Sequence, residues 1–362
     1  MNLKPANMPD GNAIVYCQGA FNTTYGKTAH GLVRFTRRYR VLSVVDEMYA
    51  GKDAGMVLDG RESDIPVFSS IGRAVAMADE NGTPATHLVV GLATDGGVLT
   101  QTARKDIAIA LERGLNVDCG LHQFVGEDAE LAAIAQRKGV AIRDVRKPPD
   151  RSALHFFSGK IEEVTALKIA VLGTDSAVGK RTTAWKIVDG FMQRGNTAEL
   201  IGTGQTAWLQ GAGYGICMDS LVNDFVAGEI EHAVWSAWKD LKPEVIVVEG
   251  QGSLMNPAYP GGFEIMAAAR PDRIVLQHAP ARKEYDGFPG YPIHDLARQI
   301  QAIELLSSKP VVAVTVNHEG ITPDQVPEAC AAITRETGLP AWDVLFDGAS
   351  GLVETLSCGL TG

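Results

Sequence analysis

Eleven residues, GTDSAVGKRTT from Gly173 to Thr183, combine glycines, hydroxyls and adjacent cations in the way that phosphate chemistry uses them. They follow an apolar run, LKIAVLG at 167–173, and open a stretch of helical periodicity that starts at 180. Strand, glycine-bearing loop and helix, in that order, are what a phosphate-binding loop needs. Small residues let backbone N–H groups turn toward an anion, and the helix start adds positive potential. Lys180 supplies a mobile charge. The usual pattern ends Gly-Lys-Ser/Thr, with that hydroxyl on a magnesium ion. Here Gly179-Lys180 is followed by Arg181, and hydroxyls come only at Thr182 and Thr183. Arg181 cannot ligate magnesium, but its planar fork suits phosphate. Gly173, Thr174, Asp175, Ser176, Ala177, Val178, Gly179, Lys180, Arg181, Thr182 and Thr183 are therefore read as a phosphate grip, with a metal left open. A glycine turn carrying a surface lysine is the plainer alternative.

Other polar residues stand where strands should end. VIVVEGQGSL at 245–254 is an apolar strand closing on Glu249-Gly250, followed by Gln251 and Ser253. Ligands of open α/β sheets sit at the carboxyl ends of strands, so Glu249 is a candidate for work beside the loop rather than a cap or ion pair. IGTGQTAWLQGAG at 201–213 is a glycine-rich segment with Gln205 as a possible contact. LQHAPARKEYDGFPGYPIHD at 276–295 gathers His278, Arg282 and Lys283, where His278 could move a proton and either cation could hold a carboxylate. Asp224 lies at the start of a helical stretch, where capping competes with function. In the first half, Gly26-Lys27-Thr28 lacks the rest of a phosphate loop. Asp46 ends a strand without the dinucleotide glycines, and is read as structural.

The elements that must position these residues alternate from end to end. Apolar runs at 13–17, 39–46, 65–68, 86–92, 115–120 and 139–145 read as buried strands, with helices at 101–113 and 127–138. Pro148-Pro149 breaks the pattern. It resumes with strands at 167–173, 198–202, 244–250, 273–278, 310–317 and 340–346, and helices at 180–194, 222–240, 294–307 and 323–337. The expected fold is α/β: a Rossmann-like domain over 1–147, a linker over 148–166, and a P-loop domain with a doubly wound parallel sheet over 167–362.

A chain of 362 residues suits two domains. Its net charge of −10 argues against a nucleic-acid partner, which requires a basic stripe. RFTRRYR at 34–40 reads as a solvated helix end. Five scattered cysteines lack metal or redox spacing, which fits a reducing cytoplasm. No apolar run is long enough for a bilayer and no signal core opens the chain, so no membrane is expected. Cys217 is read as a packed thiol.

GTDSAVGKRTTA and VVEGQGSL, preceded by VVDEMYAGKDAGMVLDG at 44–60, resemble a bacterial P-loop family whose characterised members are D-glutamate N-acetyltransferases of the DgcN type. The likeness spans both halves in order. It implies transfer of an acetyl group from acetyl-coenzyme A to the amine of D-glutamate or another D-amino acid, with the loop on the coenzyme's phosphates. A small amino-acid substrate and a homo-oligomer are the partners expected. For acetyl transfer the residues leave Glu249 or His278 as proton acceptor, with Asp224 third. Amides from Gly250 to Ser253, or Gln205, are candidate oxyanion donors, and Arg282 or Lys283 would hold carboxylate. The GTD…VGK opening also resembles dethiobiotin synthetase, which keeps a hydroxyl residue after the lysine. An ATP-dependent ligase or kinase is the alternative, and a non-catalytic nucleotide-binding regulator a third reading.

Overall fold

The computed structural model describes residues 9–358, and these form two compact units. The first holds the residues up to Pro148 together with Gln205–Gly211. Its strands are β1 (Gly11–Tyr16), β2 (Tyr39–Val45), β3 (Val67–Phe68), β4 (His87–Val90), β5 (Asn116–Cys119) and β6 (Ile142–Asp144). Its helices are α1 (Lys27–Arg34), α2 (Ala54–Asp59), α3 (Ile71–Glu80), α4 (Gln101–Glu112), α5 (Ala129–Lys138) and, much later in the chain, α7 (Gln205–Gln210). The strands pair in parallel in the order β3-β2-β1-β4-β5-β6. This is the strand order of a Rossmann sheet. β4 is buried along its whole length, which is why it reads as an unbroken apolar run rather than an alternation.

Asp46 follows β2 and is fully buried. Its carboxylate accepts the backbone N–H groups of Ala20 (3.2 Å), Phe21 (2.9 Å) and Met48 (2.9 Å), so it shapes the turn after β1.

The sequence places 205–211 in the second domain, and the structure corrects this. Leu209 lies in the core of the first unit, and Gln210 Nε2 donates to the carbonyls of Gly31 in α1 (2.8 Å) and of Phe35, which caps its end (3.0 Å). The Arg38 guanidinium stacks 3.8 Å from the Trp208 ring. The carbonyls at the end of α1 need donors, and a glutamine far along the chain supplies them. Hydrophobic periodicity carries no trace of such a pairing.

The second unit comprises 149–204 and 212–358 of the described chain. Its strands are β7 (Leu167–Gly173), β8 (Ala198–Gly202), β9 (Tyr214–Gly215), β10 (Val245–Glu249), β11 (Arg273–His278), β12 (Val311–Val316) and β13 (Ala341–Trp342). The remaining helices are α6 (Lys180–Gln193), α8 (Asn223–Leu241), α9 (Phe263–Ala269), α10 (Leu296–Ser307), α11 (Val326–Thr337) and α12 (Ser350–Ser357). The parallel order is β13-β12-β11-β7-β10-β8-β9. β7 stands in the middle, so the loop that leaves it is flanked by the ends of β10 and β11.

The stretch after Pro149 is bound to α8. Glu231 accepts the N–H groups of Ser158 (2.6 Å) and Ile161 (3.2 Å), and Glu229 accepts that of His155 (2.6 Å). Gly228 permits this approach, since a Cβ there would stand 2.0 Å from the His155 carbonyl oxygen. No helix among the described residues is long and apolar enough to cross a membrane.

Candidate functional site at the carboxyl edge of the second sheet

The loop between β7 and α6 turns back on itself through two left-handed residues, Ala177 (φ 54°) and Gly179 (φ 102°). Gly179 takes that conformation freely, whereas the side chain of Ala177 makes it costly. Gly173 keeps space for the lysine: a Cβ there would meet Lys180 Cδ at 2.8 Å. Lys180 thus lies across the loop, donating to the carbonyls of Asp175 (2.6 Å) and Gly252 (2.8 Å). Burial pulls its pKa down to about 8, against the attraction of Asp175 and Glu249. A desolvated cation whose hydrogen bonds go to carbonyl oxygens can exchange them for an anion.

Asp175 organises the loop. It is wholly buried, and both oxygens are used. Oδ1 accepts Ser176 N–H (2.7 Å) and Asn256 Nδ2 (2.6 Å), while Oδ2 accepts Arg282 Nη1 (3.0 Å) and Asp286 N–H (2.8 Å). Ser176 Oγ donates to Asp286 (2.8 Å) and its carbonyl accepts Arg282 (2.8 Å). Thr174 bonds His278 Nδ1 through its hydroxyl at 3.0 Å. The Val178 carbonyl accepts Asn317 Nδ2 at 3.1 Å. The two threonines after Arg181 part company. Thr183 is buried, and its hydroxyl donates to Gln277 Oε1, which also accepts Thr315 (2.6 Å). It fastens α6 to the sheet, which leaves Thr182 as the half-buried hydroxyl at the start of the helix.

Glu249 ends β10, and Thr203 N–H donates to it at 3.0 Å. Burial raises its pKa, while Arg181, the Thr203 N–H and Lys180 pull the other way. The charge of Arg181 therefore acts on Glu249 from the position after the loop lysine. Gly250 is required by packing, because a Cβ would stand 2.2 Å from the Val171 carbonyl and 3.1 Å from Lys180 Cδ. Gly250→Ala is expected to cost about 2 kcal/mol, the scale of overpacking a tight interior, as read by urea unfolding. Gln251 Nε2 donates to Thr203 Oγ1 (3.0 Å), and the buried Ser253 Oγ accepts Asn256 N–H (3.1 Å).

The remaining sequence candidates separate. His278 sits at the end of β11, and burial, then the charge of Lys283, lowers its pKa to about 4. It is neutral at pH 7 and a weak proton acceptor. The Arg282 fork is engaged by Asp175, Ser176 and Glu319 (2.6 Å), so it braces the loop. Lys283 is exposed, with its ammonium on the Pro280 carbonyl (3.1 Å). Asp224 is exposed in the first turn of α8. Gln205 belongs to the first unit. Sequence reasoning missed Asn256, Asp286 and Asn317. Each follows a strand in a polar or glycine-rich loop, but nothing local tells which loops converge. Among the described residues, no group of three or more His, Cys, Asp and Glu side chains is arranged to hold a metal ion.

Residues 155–353 match a family model described as a domain of unknown function (DUF1611_C), P-loop domain. Residues 47–148 match its companion DUF1611_N, a Rossmann-like domain. The chain belongs to the DUF1611 family. It is 29% identical over 289 residues to a protein of Tritonibacter scottomollicae named D-glutamate N-acetyltransferase, covering 78% of this chain and 84% of that one. A protein of the same name from Pseudoalteromonas sp is 28% identical over 283 residues, covering 75% and 81%. The crystal structure of a DUF1611 family protein from Anabaena variabilis superposes with a TM-score of 0.88 at 27% identity, over 96% of this chain and all of that one.

Proposed function

We propose that this DUF1611 protein is an N-acetyltransferase. It moves the acetyl group of acetyl-coenzyme A to the amine of D-glutamate or a related D-amino acid, and the loop at 173–183 grips the coenzyme's phosphates. Two relatives bearing that name, matched over three quarters of the chain or more, support the reaction class. The observation that carries the coenzyme part is Arg181. In a loop that serves phosphoryl transfer, the hydroxyl after the lysine holds a metal that neutralises developing charge. Here a permanent guanidinium follows the lysine and acts on Glu249. Fixed cations beside a buried lysine suit phosphates that serve as a handle, not phosphates to be cleaved.

On this reading Lys180, Arg181, Thr182 and the loop amides hold phosphate. The backbone amides from Gly250 to Ser253 are the donors for the tetrahedral oxyanion. The exposed Lys283 is the carboxylate partner, since Arg282 is engaged. The test is thiol release from acetyl-coenzyme A with D-glutamate, with L-glutamate and with neither, alongside ATP hydrolysis. Release that depends on D-glutamate and uses no ATP is expected. Loss of ATP without thiol release would sink the reading in favour of a ligase or kinase.

The lowered pKa of Lys180 gives the grip a pH dependence. Phosphate requires the charged lysine, and phosphates are fully ionised above about pH 7. The unliganded lysine loses its proton near pH 8, while bound phosphate raises that value. Affinity for coenzyme A should therefore be flat up to about pH 8. Above it, affinity should fall by up to tenfold per pH unit until the bound lysine titrates as well. Calorimetric titrations from pH 7 to 9.5 check this, and a flat profile would remove Lys180 from the grip.

A further inference from the structure

Resting on the acetyltransferase reading, one part is still without an owner: a group to take the proton of the attacking amine. His278 titrates too low, and Glu249 is occupied with Thr203 and the flanking cations. The end of β12 offers another histidine, next to the loop. After Val316 the chain reads Asn317-His318-Glu319-Gly320. Asn317 is tied on both sides of this edge, through its N–H to the His278 carbonyl (2.7 Å) and through Nδ2 to the Val178 carbonyl (3.1 Å). Glu319 N–H donates to Asn317 Oδ1 (3.0 Å), and its carboxylate pairs with Arg282, which in turn pairs with Asp175. His318 is therefore held between two residues fastened to the phosphate loop.

Its ring is oriented from behind. His318 Nδ1 bonds to Oδ2 of Asp343, which follows β13. Asp343 is 1% exposed, and its other oxygen accepts Leu345 N–H (2.9 Å) and Phe346 N–H (3.2 Å). The carboxylate cannot turn away. An imidazole whose Nδ1–H faces a buried carboxylate presents the Nε2 lone pair at its opposite edge. The His318 side chain is 43% exposed, so that edge is reachable. A histidine held by a buried carboxylate, with a free Nε2 at the carboxyl edge of a sheet, is the arrangement of a base and its orienter.

We infer that His318 is the general base of the acetyl transfer and that Asp343 is its positioning residue. The substrate ammonium first gives one proton to solvent. As the amine nitrogen bonds to the thioester carbon, His318 Nε2 takes the second proton. The tetrahedral intermediate collapses with cleavage of the C–S bond, and the imidazolium returns its proton to the leaving sulfur. The net products are the acetylated amine, the thiol and one proton. The charged and titratable groups around the pair are Asp343, Asp347, which accepts Asp343 N–H, Glu319 with its partner Arg282, and the Cys330 thiol, which feels both aspartates.

The experiment uses the full chain, with thiol release measured from pH 5.5 to 9. Wild type should show an acid limb in kcat/KM from the imidazole. His318→Gln should lower kcat about 10²–10⁴-fold and abolish that limb, the scale of a lost general base. Its coenzyme A affinity and melting temperature should stay close to wild type. Asp343→Asn should reduce kcat more than it changes KM, because the ring loses the buried carboxylate that fixes its tautomer and direction. A His318→Gln enzyme within about threefold of wild type at every pH would overturn the assignment and leave the acetyltransferase reading standing. Silence from wild type would overturn both.

Discussion

Lys180→Ala should weaken coenzyme A binding by about 10- to 100-fold while leaving the fold as stable as wild type or more so. The loss follows from removing a charge-assisted contact, about 1.5–3 kcal/mol. The stability result follows from what Lys180 does without a ligand. It is buried, its ammonium donates to two carbonyl oxygens, and burial outweighs the attraction of Asp175 and Glu249 to hold its pKa near 8 in place of 10.5. The sign is fixed by linkage. Below pH 8 both folded and unfolded chains carry the proton, and folding bears the full cost of burying the charge. Between pH 8 and 10.5 the folded chain sheds the proton first, so stability rises with pH. Wild type should show this rise in urea unfolding, and the alanine variant should lack it. A variant that loses stability and keeps its affinity would mean that Lys180 is a structural brace.

Asp175→Ala should be the most damaging single change in the loop, costing about 3–5 kcal/mol. Asp175 is fully buried and accepts four hydrogen bonds, from Ser176, Asn256, Arg282 and Asp286. Its removal takes from Arg282 its buried carboxylate partner, leaving only Glu319 and the Ser176 carbonyl, and deprives three other donors of their acceptor; breaking a buried pair from one side is expensive. Urea unfolding followed by tryptophan fluorescence reads the second unit, where Trp185, Trp235, Trp238 and Trp342 lie. The control is the pair: Arg282→Met combined with Asp175→Ala should lose clearly less than the sum of the single losses, because both single changes break the same Asp175–Arg282 pair. Additive losses would show that the two residues do not act as a unit. Coenzyme A binding should fall as well, since the loop amides depend on Asp175 for their direction.

Most of the scaffold was legible in the sequence. β7, β8 and β11 occupy the residues that their apolar runs indicate, 167–173, 198–202 and 273–278, because the middle of a parallel strand covered on both faces is held to apolar residues. The long helices at 180–193, 223–241 and 296–307 likewise follow periodicity. β9, two residues long, was not legible, because so short a segment has no period. α7 was read as part of a glycine-rich segment of the second domain, because its partners in the first unit lie nearly two hundred residues away.

The site divides in the same way. Sequence by itself placed the glycine-bearing loop at 173–183 between a strand and a helix, showed the Arg181 departure and put Glu249 at a strand end, because each is a matter of neighbouring residues. Only the tertiary structure could decide which distant residues serve them. Asp175 meets Asn256, Arg282 and Asp286 across 81, 107 and 111 residues, and His318 meets Asp343 across 25. It also turned two sequence candidates to other work: Thr183 into the sheet and Arg282 into the loop brace. The physical reason is that a side chain's role depends on its partners, its burial and its direction. Parallel strands bring those partners together by register across the sheet, while a sequence records only order along the chain.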